Sequence, residues 1–89
     1  MIFSMSYFVY ILQSEKDGSF YIGCSKEPEM RLEKHNLPHK GYTSRKQPWR
    51  LVYKEEFDSK TEALKRERFI KSQKSREFIL RLVSGSSAC

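Results

Sequence analysis

Residues 6–13, Ser-Tyr-Phe-Val-Tyr-Ile-Leu-Gln, are β-branched and aromatic with no polar face. Such a run reads as a strand, and apolar character on both alternating faces predicts a central strand covered on each side. Lys16-Asp17-Gly18-Ser19 is a turn signal, and residues 19–24 return as a second strand to close a hairpin. Pro28 suits the first turn of a helix, and Glu27 and Glu29 favour its positive end. That helix is expected to run to about Asn36. Leu37 to Pro48 is polar, basic and broken by Pro38 and Gly41, so it reads as a loop. Residues 50–57 form a third strand. Ser59-Lys-Thr-Glu62 has the spacing of a capping box and starts a second helix reaching about Ser72. Ser75 is placed to cap a final helix with a Phe78, Ile79, Leu82 and Val83 stripe, ended by Gly85. The predicted order is β-β-α-β-α-α, in one domain over 1–84 with a flexible tail at 85–89.

Six positions stand out against this pattern. Gly23 interrupts the second strand inside Phe20-Tyr-Ile-Gly-Cys-Ser25. A strand glycine marks a bulge or a close approach by another group, either backbone or ligand. Glu67 lies four residues after Ala63, three after Leu64 and three before Ile70, which puts a carboxylate on the apolar stripe of its helix. A carboxylate there needs a cation, and both a structural ion pair and a metal satisfy it. Tyr10 and Tyr21 sit on the two arms of the hairpin, opposite or diagonal. They are either two core aromatics or two hydroxyls converging on one face. On the first helix, Arg31 and His35 are four apart and share a face.

Composition adds a partner class. The chain of 89 residues carries a net charge of +6, and no acidic residue occurs between Lys34 and Lys54. That stretch holds Lys40, Arg45, Lys46 and Arg50 among Tyr42, Thr43, Trp49 and Tyr53. Cations interleaved with aromatics and hydroxyls attract a phosphate backbone, although a solvated basic surface has the same composition. No apolar run is long enough to span a membrane. Cys24 and Cys89 make no disulfide framework, and the start lacks a basic signal region, which points to the cytoplasm.

Together, Tyr10, Tyr21-Ile22-Gly23, Arg31-x-x-x-His35 and Glu67 resemble the GIY-YIG nuclease family, from Tyr7 to about Val83. Tyr21-Ile22-Gly23 matches the second half-motif literally. Phe8-Val9-Tyr10 stands in the first, retaining its tyrosine. Val9-Tyr10-Ile11-Leu12, His35-Asn36, Tyr42-Thr43 and Pro48-x-x-Leu51-Val52-Tyr53 are similar to the small stand-alone members. The resemblance implies an α+β fold with a three-stranded antiparallel sheet flanked by three helices. It implies Tyr10 as base or proton relay, Tyr21 positioning water or phosphate, and Arg31 neutralising the scissile phosphate. His35 would assist proton transfer or bind phosphate. Glu67 would hold one divalent ion, Mg²⁺ or Mn²⁺. Gly23 would let backbone or substrate approach the tyrosine pair. Lys26, Lys40, Thr43, Arg45, Lys46 and Arg50 are the candidate contacts to nucleic acid, DNA ahead of RNA. Tyr10 has a chemical difficulty. A free tyrosine titrates near pH ~10, so a base needs a cation such as Arg31, Lys26 or the metal to lower that value.

The implied activity is a metal-dependent endonuclease acting on DNA, with branched or damaged DNA as candidate substrates and a partner protein as a candidate source of specificity. The alternative is a nucleic-acid-binding module with the same fold and little or no catalysis. A third reading is a protein-docking module using Trp49 and the last helix.

Overall fold

The computed structural model describes residues 6–85. The strands are β1 (Tyr7–Ser14), β2 (Phe20–Ser25) and β3 (Trp49–Phe57); the helices are α1 (Pro28–Asn36), α2 (Lys60–Ser72) and α3 (Arg76–Gly85). The order is the β-β-α-β-α-α read from the sequence. The sheet is antiparallel in the order β2-β1-β3, so the all-apolar strand is the central one. It is apolar on both faces because helices cover both.

Alternation along the strands divides the core in two. Val9 packs with Ala63 and Ile70 of α2 and with Phe78, Ile79 and Leu82 of α3. Tyr10 and Leu12 point the other way, to Trp49, Tyr21, Leu51 and Leu32 of α1. Each fully buried aliphatic side chain contributes about 1.5–3 kcal/mol, so Val9, Ile11, Leu12 and Ile70 anchor the two layers.

The local signals work as the chemistry requires. Gly18 closes the hairpin at φ +80, a left-handed conformation that side chains disfavour, while the Asp17 carboxylate accepts from the Ser19 amide at 2.9 Å. Ser59 caps α2 by accepting from the Glu62 amide at 3.2 Å. Ser75 caps α3 by accepting from the Phe78 amide at 3.0 Å.

Four expectations change. The basic stretch is not all loop, since Tyr42–Lys46 forms a 3₁₀ helix. Strand β3 begins at Trp49, and α3 includes Gly85. Trp49 is only 2% exposed, and its indole N–H donates to the Thr43 carbonyl at 2.9 Å, so it is a core residue and not a docking residue. Leu64 is half-buried and lines a cleft instead of joining the core stripe. Beyond Gly85, the tail expected from the sequence lies outside the described residues.

Candidate active site

A cleft of about 520 Å³ opens over edge strand β2. Its walls come from both sides of the sheet. Tyr10, Tyr21, Gly23 and Arg31 reach it from the α1 side. Cys24, Leu64 and Glu67 reach it from the α2 side, and Tyr7, Ser25, Lys26 and Lys60 complete it.

Gly23 explains how Tyr10, on the central strand, gets there. The two residues face each other across the β1–β2 ladder. A Cβ added at Gly23 would lie 2.5 Å from the Tyr10 hydroxyl oxygen and 2.6 Å from Cζ. Real Cβ atoms do not come so close, so the phenol ring crosses the strand where the missing side chain would stand. The group that approaches the glycine is therefore Tyr10 itself. Tyr21, paired with Leu12, is diagonal to Tyr10, with ring centroids 6.4 Å apart. Both hydroxyl-bearing rings share one face, as alternation along paired strands requires.

The electrostatics of Tyr10 bear on the expectation that Arg31 or Lys26 lowers its pKa. Tyr10 is 2% exposed, and its pKa is pushed up to about 12, first by burial and then by Tyr21, with Arg31 pulling the other way and Glu67 adding to the rise. Nearby cations do not lower it on balance. Tyr10 is a protonated phenol at neutral pH, suited to donating a hydrogen bond or relaying a proton. Burial, then Glu67, also pushes the Cys24 thiol up.

Glu67 lines the cleft at 16% exposure, and its one ion-pair partner among the described residues is Lys71, 2.7 Å away and 53% exposed. Such an i,i+4 pair is worth a few tenths of a kcal/mol. Lys71 can swing into solvent without stranding a buried charge. Among the described residues no group of three or more His, Cys, Asp or Glu side chains could hold a metal. Glu67 is a single oxygen donor, of the type that a hard divalent ion takes beside water and substrate oxygens.

The remaining candidates separate. His35 does not line the cleft. It packs behind Tyr21, with ring centroids 4.6 Å apart, and its pKa is lowered by burial, then by His39 and Arg31. Lys26 lies in the cleft, whereas Lys40, Thr43, Arg45, Lys46 and Arg50 do not. Lys46 pairs with Asp17 at 2.5 Å and Arg50 approaches Glu15 at 3.9 Å, both acids from the β1–β2 turn. Thr43 bonds the ring of His39 at 2.8 Å. Among the described residues, Lys26, Arg31 and Lys60 make no ion pair, so the cleft holds the less compensated positive charge.

Sequence reasoning missed Tyr7 and Lys60 as cleft residues. Lys60 is the first residue of a capped helix, and the Ser59 signal fixed where that residue would stand but not what it would face. It also left Asn36 without a role. Its side-chain amide donates to the Trp49 carbonyl at 2.9 Å and accepts from the Trp49 amide at 2.6 Å, clasping α1 to the start of β3.

The profile of the GIY-YIG catalytic domain matches residues 6–79. A UPF0213 protein of Staphylococcus saprophyticus is 47% identical over 79 residues, which is 88% of this chain and 94% of the relative. A UPF0213 protein of Staphylococcus aureus is 46% identical over 79 residues with the same coverage. The solution NMR structure of a UPF0213 protein from Bacillus halodurans superposes with a TM-score of 0.57 at 35% identity, covering 90% of this chain and 84% of that one.

Proposed function

The chain belongs to the GIY-YIG catalytic-domain family, and from that premise we propose that it is a divalent-metal-dependent endonuclease hydrolysing phosphodiester bonds in DNA. One observation carries the reading. Tyr10, Tyr21, Arg31 and Glu67 come from four different elements and line one cleft. A core needs no such convergence of two phenols, a guanidinium and a carboxylate.

The geometry supports the roles that the family resemblance implies for the residues in the cleft. Arg31 offers its planar fork to the non-bridging oxygens of the scissile phosphate and holds it against the tyrosine pair. Tyr10, kept protonated by burial, donates its proton to a phosphoryl oxygen while its own oxygen accepts the proton that the attacking water gives up, so that it relays and gains no net charge. Tyr21 orients the same water or phosphate. Lacking a place in the cleft, His35 acts through Tyr21 by fixing its ring, as a positioning residue. Glu67 would hold the ion, with Lys71 turned out into solvent. When bound, Mg²⁺ or Mn²⁺ neutralises charge on the phosphoryl oxygens and acidifies water.

A second reading, a binding module without turnover, is favoured by the engagement of Glu67 with Lys71. Incubation with duplex, branched, damaged and single-stranded DNA and with RNA, under Mg²⁺, Mn²⁺ or chelator, decides between them. The nuclease reading expects metal-dependent cleavage of DNA that Glu67→Ala abolishes. Binding without cleavage by the wild-type chain across the whole panel would overturn it in favour of the binding module.

A further inference from the structure

Two lysines from distant parts of the chain meet at one ring. The Lys26 ammonium, from the β2–α1 connection, lies 5.7 Å from the centroid of Tyr7. The Lys60 ammonium, from the first residue of α2, lies 6.0 Å from the same centroid. Both side chains are exposed, and all three residues line the cleft. Two like charges beside one ring repel. An exposed cation–π contact fixes where each ammonium sits without neutralising it. The one acidic residue lining the cleft, Glu67, is engaged by Lys71. The partial positive charge at the α2 N-terminus adds to the field around Lys60. What this arrangement lacks is an anion.

We propose that Lys26 and Lys60, arranged over the Tyr7 ring, grip the nucleic-acid backbone at a phosphate flanking the one cut. The assignment rests on the nuclease reading and adds a second subsite to it. Arg31, with Tyr10 and Tyr21, takes the scissile phosphate, and the rim formed by Tyr7, Lys26 and Lys60 takes its neighbour. The cleft volume of about 520 Å³ exceeds what one phosphoryl group and one ion fill. The ligand is a phosphodiester strand, because the contacts are ammonium to phosphate and read no base edge.

The test is the salt dependence of binding, followed by fluorescence anisotropy with a labelled DNA oligonucleotide in chelator. Lys26→Gln, Lys60→Gln and the double variant are compared with wild type. Lys65→Gln, an exposed lysine of α2 outside the cleft, is the control for net charge. Each rim substitution is expected to make the slope of log K against log salt shallower by about 1, with Lys65→Gln near wild type. Melting temperatures should stay level, and in cleavage assays the loss should fall on KM more than on kcat. If the wild type binds with a steep slope and the double variant keeps it, the rim site is overturned while the nuclease reading stands. An equal effect from Lys65→Gln likewise overturns the site, since net charge then accounts for it. A wild type that binds no nucleic acid overturns both.

Discussion

The cleft and the basic 37–48 segment are both rich in cations, yet the fold treats them differently. Lys46 in the segment and Arg50 just beyond it, on β3, are matched by Asp17 and Glu15. The segment's backbone is tied down as well. The Gln47 amide donates to the His35 and Leu37 carbonyls at 2.7 Å each, the Lys46 carbonyl accepts from Ser14 at 2.6 Å, and Asn36 clasps Trp49. In the cleft, Lys26, Arg31 and Lys60 make no ion pair among the described residues, and the carboxylate that shares the cleft with them, Glu67, is held by a half-exposed lysine. Positive charge that is already compensated serves the fold, while uncompensated charge is available to a ligand. Substitutions in the cleft should therefore cost activity and spare stability, and substitutions around the segment should do the reverse.

The largest effect expected is at Glu67. Glu67→Gln should lower metal-dependent cleavage by orders of magnitude, because metal assistance is worth several kcal/mol at the transition state. Its melting temperature should shift by no more than the few tenths of a kcal/mol of a surface pair. Thermal melts run beside cleavage assays check both. A large drop in melting temperature with cleavage per folded molecule unchanged would return Glu67 to the core and break the contrast.

Gly23→Ala comes next, because its Cβ must displace the Tyr10 phenol. Cleavage should fall roughly 10²–10⁴-fold, as far as in Tyr10→Phe, which removes only the hydroxyl. Gly23→Ala alone should also lose about 1–3 kcal/mol, since overpacking forces the ring out of place. Equal activity in Gly23→Ala and wild type would show that the position of Tyr10 is irrelevant to catalysis.

Alkaline pH tests the buried phenol itself. Tyr10 titrates near 10 when unfolded and at about 12 when folded. Its contribution is full below pH 10, because both states are then protonated. Above that the unfolded state ionises first, so stability falls between about pH 10 and 12, by roughly 3 kcal/mol in all. Chemical denaturation of wild type and Tyr10→Phe across that window should show the wild type losing the difference. Parallel curves would mean that the hydroxyl is better solvated than its burial implies.

Around the segment, Asn36→Ala leaves the amide and carbonyl of buried Trp49 without partners, at about 1–3 kcal/mol. Cleavage per folded molecule should hold, and a selective loss of kcat would place the clasp in the chemistry. The smallest effect belongs to Lys46→Ala. Because Asp17 already compensates this cation, the salt slope of DNA binding should change by less than the change of about 1 expected for each rim lysine. A change as large as theirs would erase the distinction between the two regions and make the segment a phosphate contact, as its composition by itself implies. Lys40 and Arg45, which make no ion pair among the described residues, are the segment's remaining candidates for that contact.

The element order was legible in the sequence because its signals are short-range. Strand composition, the Asp17-Gly18 turn, Pro28 at a helix start, and the Ser59 and Ser75 caps each act within a few residues. Residues that line the cleft could also be singled out beforehand, since Tyr10, Tyr21, Gly23, Arg31 and Glu67 stand in the pattern that resembles the family. Tertiary structure alone decided three things, all of which join residues far apart in the chain. The β1–β2 register set Tyr10 against Gly23, turning an unexplained glycine into the space its phenol occupies. Burial then raised the Tyr10 pKa, where charge counting along the sequence had sought a cation to lower it. And the packing of the β1–β2 turn against the 3₁₀ helix matched Asp17 with Lys46, while the packing of α2 brought Lys60 to the Tyr7 ring that Lys26 also approaches, neither lysine in an ion pair among the described residues. Composition counts charges, but compensation depends on which ones the fold brings within a few ångströms of each other.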